Sequence, residues 1–238
     1  MSTQVFGPRP HGGLTLPLGI SVHWAWLLGG FGVAFLVPYL LADRLGLHRD
    51  LYYGVYAVAV VGLLLAWAFE TGYDLAAAVR RHWALATALG IASGALLVFV
   101  VVRTEDATAR PDGLELAGAV LWRGVVYGVV DGLLLSVFPI LVVFAALSGT
   151  HLYRRRLGKV VAGIAALAAA VAMTAAYHAG YSEFRSSKMA DPLRGSVMWS
   201  VPTLVTLNPI GAPIAHASMH VSAVLSSYET DTFLPPHD

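Results

Sequence analysis

Cysteine is absent from the 238 residues. That one absence removes disulfides, thiolate metal ligands, iron–sulfur clusters and a cysteine nucleophile from consideration. Charge is scarce as well: 12% of residues are Asp, Glu, Lys or Arg, about half the fraction usual in soluble domains. Lysine occurs only as Lys159 and Lys188. Both fall outside the apolar runs, so a buried Schiff base of the retinal-binding kind has no residue to form on. A formal net charge of +1 gives no reason to expect nucleic acid as a partner. There is no phosphate-binding Gly-rich loop and no G-x-S-x-G serine elbow. Residues 1–17 lack the basic-then-apolar pattern of a removable signal peptide and read as a polar lead-in.

What fills the chain instead is apolar. Hydrophobic residues make up 57% of the sequence and the mean hydropathy is +0.69. Several runs approach the ~20 residues that span a bilayer. The reading is an all-α, polytopic membrane helical bundle of about six transmembrane helices, in one domain over 1–238, with the lipid bilayer as its partner. Spans are expected near 18–42, 51–69, 83–102, 114–148, 160–181 and 207–227. Pro139 is expected to kink or divide the fourth, which is too long for one perpendicular helix. Tyr52, Tyr53 and Tyr56 read as an aromatic belt, as do Trp24 and Trp26, and His23 as an interface residue. Gly90, Ser93 and Gly94 suit close helix packing. Residues 182–206, broken by Pro192 and Pro202, should lie along the interface or re-enter the bilayer. Six spans would put the amino terminus, the 70–82 and 151–159 loops and the 228–238 tail on one side. Tight arginine clusters in those loops favour the cytoplasmic side of a bacterial-type plasma membrane.

Ionisable residues at membrane depth concentrate in 114–227, which leaves 18–103 as scaffold helices. His216 and His220 are four residues apart, so both imidazoles project from one helix face and can reach one ligand. Asn208, Pro209 and Pro213 start or bend the helix just ahead of them. Neutral histidines hydrogen-bonded between helices are the plainer alternative. Arg123, Tyr127 and Asp131 also follow a four-residue step and form a polar centre. At that depth Arg123 and Asp131 should pair with each other or with a neighbouring helix. His178 stands near the end of the fifth span. Three imidazoles (His178, His216, His220) with one carboxylate would complete a shell for a divalent metal such as zinc. Haem held by His178 and His216 on facing helices is a second reading. A transporter or accessory subunit is a third, against which no internal repeat is evident.

The order of these motifs resembles the CAAX-protease and bacteriocin-processing (CPBP) family of intramembrane metalloproteases. In GAVLWRGVVYG, Arg123 and Gly124 match the Arg-Gly of that family's Glu-Glu-x-x-x-Arg-Gly helix. TAAYH matches its Phe-x-x-x-His through His178, and HASMH its His-x-x-x-Asn through His216. The similarity covers roughly 115–225 and implies an intramembrane metal site. Gly118 and Ala119 stand where the family has its glutamates, Thr174 replaces the phenylalanine and His220 the asparagine. Asp131 lies twelve residues past Ala119, about 18 Å along a helix, too far for direct replacement. The resemblance therefore implies a non-proteolytic relative, or one of altered activity.

Overall fold

The computed structural model describes residues 22–148, 150–230 and 232–234. The lead-in at 1–17 and the first residues of the expected first span lie outside them. Every regular element is helical: α1 (Val22–Arg44), α2 (Arg49–Thr71), a short α3 (Leu75–Arg80), α4 (Trp83–Thr104), α5 (Gly113–Ser148), α6 (Arg156–Ala179), α7 (Ala190–Thr206) and α8 (Gly211–Ser226). Five of these, α1, α2, α4, α5 and α6, are long and apolar enough to cross a membrane. The protein is an integral membrane helical bundle.

From Tyr127 to Ala145, α5 is apolar on nearly every side, which suits a stretch with no solvent-facing stripe. It accordingly lies at the centre, with 78% of its most apolar window buried against 28–44% for the other four. Pro139 does not divide it. The helix runs through, widened into π-helical turns at Val120–Val126 and Leu133–Val137. The second stretch ends just before the proline, where a looser turn absorbs the missing N–H and the crowded carbonyl.

Residues 190–206 are neither an interface segment nor a re-entrant loop. They form α7, packed beside α4, α6 and α8, and Thr174 Oγ1 on α6 donates to Ser196 Oγ at 3.0 Å. The chain then reverses through Leu207, whose φ of 52° is left-handed, a conformation costing roughly 1–2 kcal/mol for a residue with a Cβ. Asn208 offsets that cost. Its Nδ2 lies 3.0, 2.8 and 2.5 Å from the carbonyls of Ala78, Val79 and Arg81, closing the end of α3, and its Oδ1 accepts from Ile210 N at 2.8 Å.

Because α7 makes an additional pass, the described chain ends do not share a side. Trp26 Nε1 donates to Glu70 at 3.0 Å, which places the start of α1 with the 71–83 turn and Asn208. At the other end of the bundle Ser182 N donates to Asp43 at 2.8 Å, Thr108 N to Ser226 O at 3.1 Å and Thr230 Oγ1 to Glu105 at 2.6 Å. The tail therefore folds back over the end opposite Val22, and its Leu234 is fully buried.

Candidate metal centre

Close approach of two backbones assembles the site. On α5, Gly124, Gly128 and Gly132 recur every four residues. A Cβ on each would come within 3.1 Å of Val221 Cα, 2.7 Å of Ala217 Cα and 2.7 Å of Pro213 Cα respectively. The partners also step by four, running backwards along α8. Small residues let membrane helices touch in this way, and only glycine fits here. Each of these glycines follows a member of the polar stripe, so Tyr127 and Asp131 are carried to the edge of the same seam. On its other side α8 meets α4, where a Cβ on Gly90 would lie 2.6 Å from Gly211 O and one on Gly94 2.7 Å from Ser218 Oγ. The glycines expected to serve close packing do so.

Across the seam Asp131 meets both histidines of α8. One ligand-capable atom from each of Asp131, His216 and His220 lies within 4.8 Å of the other two, and the residues are only 4, 1 and 2% exposed. His220 Nε2 is 3.3 Å from Asp131 Oδ2, though without the alignment of a hydrogen bond. Asp131 Oδ1 accepts from Tyr56 Oη at 2.7 Å. Neither ring nitrogen of His216 has a hydrogen-bond partner among the described residues, nor does either of His220. A buried polar atom left so costs about 1–3 kcal/mol. Two carboxylate oxygens with separate tasks and two imidazoles with lone pairs to offer can hold a divalent ion.

A cavity of about 470 Å³ adjoins the group, with Tyr127, Asp131, Trp199, His216 and His220 on its wall. Trp199 lies with its ring centroid 4.2 Å from that of His216, and its indole N–H has no hydrogen-bond partner among the described residues. His178 lines the same cavity but is not among the three converging residues. Its Nδ1 is 2.9 Å from Thr174 O. A carbonyl only accepts, so that nitrogen carries the proton and Nε2 keeps the lone pair.

Arg123 separates from the rest of the polar stripe. It does not pair with Asp131. Its guanidinium makes two 2.9 Å bonds to Asp50 at the start of α2, and a 2.8 Å bond to Tyr228 in the tail. This is a clamp between α2, α5 and the tail, away from the cavity wall.

The second span is more than scaffold. Tyr52, Tyr53 and Tyr56 form no belt; they are 0–2% exposed and face α5 and α6. Tyr52 Oη is 2.7 Å from Tyr181 Oη and Tyr177 Oη 2.8 Å from Tyr181 Oη. Tyr127 and Tyr177 hydroxyls are in contact, and Tyr53 stacks on Tyr127 at 3.9 Å between centroids. The signal in the sequence was the four-residue spacing of Tyr52 and Tyr56, and of Tyr177 and Tyr181. That spacing puts Tyr52 and Tyr56 on one face of α2, whereas a belt is set by depth alone; Tyr181 lies just past the end of α6, with extended backbone.

Tyr56 holds one carboxylate oxygen and thereby orients the other toward the histidines. Tyr56→Phe is expected to leave the bundle folded and weaken divalent-metal affinity about 10–100-fold, the usual effect of losing a partner behind a ligand. Competition against a chromophoric chelator measures it, and unchanged affinity would remove Tyr56 from the site.

No protein-family model, no curated protein and no solved structure matches this chain.

Proposed function

We propose that this protein is an intramembrane metalloprotein in which Asp131, His216 and His220 hold one divalent transition-metal ion. The observation that carries the reading is the group itself: three buried, ligand-capable side chains from two helices, with imidazole nitrogens that have no hydrogen-bond partner among the described residues. Zinc suits two imidazoles and a carboxylate. Three protein ligands leave a further position, the arrangement of catalytic rather than structural zinc sites, and the neighbouring cavity gives that position room. A bound ion would supply Lewis acidity for polarising an oxygen or activating water. His178 presents a lone-pair nitrogen to the same cavity, fit to accept a proton or to serve as a further ligand. These features favour a hydrolase or a related Lewis-acid enzyme.

The reading keeps the intramembrane metal chemistry implied by the CPBP resemblance and assigns its carboxylate differently. Positions 118 and 119 are not on the cavity wall, and a Cβ on Gly118 would meet nothing within 4 Å. Asp131 takes the carboxylate role from a different place on the helix. With neither family glutamate present, we propose that any hydrolysis here proceeds without the CPBP general base.

Elemental analysis and an absorption spectrum of purified protein test the proposal. The expected result is about one zinc-like ion per chain, removed by strong chelators with a fall in thermal stability. A Soret band would replace this reading with the haem alternative. Metal-free protein that takes up no zinc, cobalt or iron on titration would refute it.

A further inference from the structure

We infer that the cavity takes a single-chain amphiphile, head first: an apolar chain along its wall, and an oxygen-bearing head group at the Asp131–His216–His220 end. The inference rests on the metal reading and adds the class of ligand.

Polarity inside the cavity is divided in a way that orients its occupant. At the mouth the charged groups already have partners. Arg194 pairs with Asp191 at 3.1 Å, and Glu105 accepts from Thr230 at 2.6 Å. At the inner end Asp131 is held by Tyr56, but among the described residues His216 has no hydrogen-bond partner at either ring nitrogen, and neither does the indole N–H of Trp199. Unsatisfied buried groups favour the ligand that completes them. Indole nitrogen can only donate, so its missing partner is an acceptor, and an oxygen next to a metal ion meets that need. The wall also includes Leu97, Leu135, Met198, Met219 and Phe233. No charged side chain from these positions competes for the occupant, so the stretch favours hydrocarbon. A carboxylate, hydroxamate, ester or ketone on an alkyl chain has this polarity; a sugar, a nucleotide or a doubly charged ion does not. Methionines suit chains of varied shape, because their flexible thioethers repack easily.

The experiment uses the full-length protein in lipid nanodiscs, since a detergent tail would compete for the same space. Cobalt(II) replaces the native ion and reports on its own ligands through its visible spectrum. Straight-chain hydroxamates from acetyl to octanoyl are then titrated in. Each added methylene is expected to tighten binding about three- to fourfold, the value of removing one CH₂ from water. Met198→Trp, which narrows the wall without touching the metal ligands, is expected to abolish the advantage of the octanoyl compound and leave acetohydroxamate unchanged. Trp199→Phe is expected to weaken every member of the series by a similar factor.

Hydroxamates that bind with no dependence on chain length would overturn the inference and leave the metal reading standing. So would a bound cobalt ion whose spectrum no hydroxamate alters. A protein that takes up no cobalt would defeat the metal reading, and the inference with it. The chain-length series on the unaltered protein decides the matter even if Met198→Trp fails to fold.

Discussion

Protein carrying His216→Ala together with His220→Ala is expected to lose stoichiometric metal and to keep its fold. The two imidazoles are two of the three converging ligands, and among the described residues neither makes a hydrogen bond, although His220 Nε2 lies 3.3 Å from Asp131 Oδ2. Removing a supporting partner behind a ligand already costs about 10–100-fold in affinity. Loss of two ligands should therefore cost on the order of a thousandfold or more. Stability should move the opposite way from an ordinary core truncation. Without metal, the unaltered protein buries ring nitrogens that make no hydrogen bond among the described residues, both of those of His216 included, each such atom costing about 1–3 kcal/mol, and alanine removes that burden while opening a cavity. Metal-free double variant and metal-free parent should thus melt close together, and added zinc should raise only the parent's midpoint. Equal zinc responses in both would show that the histidines are not the ligands. A double variant that fails to fold even at saturating lipid would show them to be structural.

The second large effect lies in the glycine seam. Gly128→Val is expected to destabilise the bundle by at least about 3 kcal/mol, the upper end of ordinary overpacking. Its Cβ would meet Ala217 Cα at 2.7 Å, Ala217 N at 3.0 Å and the carbonyl carbon of His216 at 3.1 Å. All three are backbone atoms of α8, so no rotamer change relieves the contact, and the helix bearing both histidines has to move. Metal affinity and thermal midpoint should fall together. Gly118 on the same helix is the control, because a Cβ there meets nothing within 4 Å. Gly118→Ala should be neutral or slightly stabilising, by up to about 1 kcal/mol. A Gly128→Val protein with unchanged midpoint and metal content would mean that α5 and α8 do not meet along this seam.

Helical class, membrane character and the pairing of His216 with His220 were legible because each is written in local spacing. Asp131 was legible as a polar residue at depth, yet its partners were not. Its nearest charged neighbour on the helix is Arg123, and only the tertiary arrangement sends that arginine to Asp50 and frees Asp131 for α8. Asp50 itself sits at the edge of a loop-like run, DRLGLHRD, where nothing marks it as the mate of a residue 73 positions away. Helix α7 was hidden for a different reason. Helix α7 is 17 residues long and carries Pro192, Arg194 and Pro202. By composition it looks like an interfacial segment, and its neighbours α4, α6 and α8 bury it regardless. The glycine seam was within reach. Gly124, Gly128 and Gly132 repeat at the spacing of a helix-packing motif, and they flank the polar stripe of Arg123, Tyr127 and Asp131.

The π-helical turns of α5 have a consequence for phase. Along a regular α-helix a four-residue repeat drifts by about 40° at each step, because a turn takes 3.6 residues. Three glycines and the stripe beside them would then spiral away from a straight partner. Wider turns at Val120–Val126 and Leu133–Val137, on either side of the α-helical Tyr127–Gly132, bring the local repeat nearer to four and hold the row in line. Each takes up about one extra residue in a wider turn instead of passing it on as rotation. A single-residue deletion between 120 and 126 would therefore close that turn to an ordinary α-turn and leave Asp131 facing both histidines, whereas the same deletion from a regular α-helix would turn everything beyond it by about 100°.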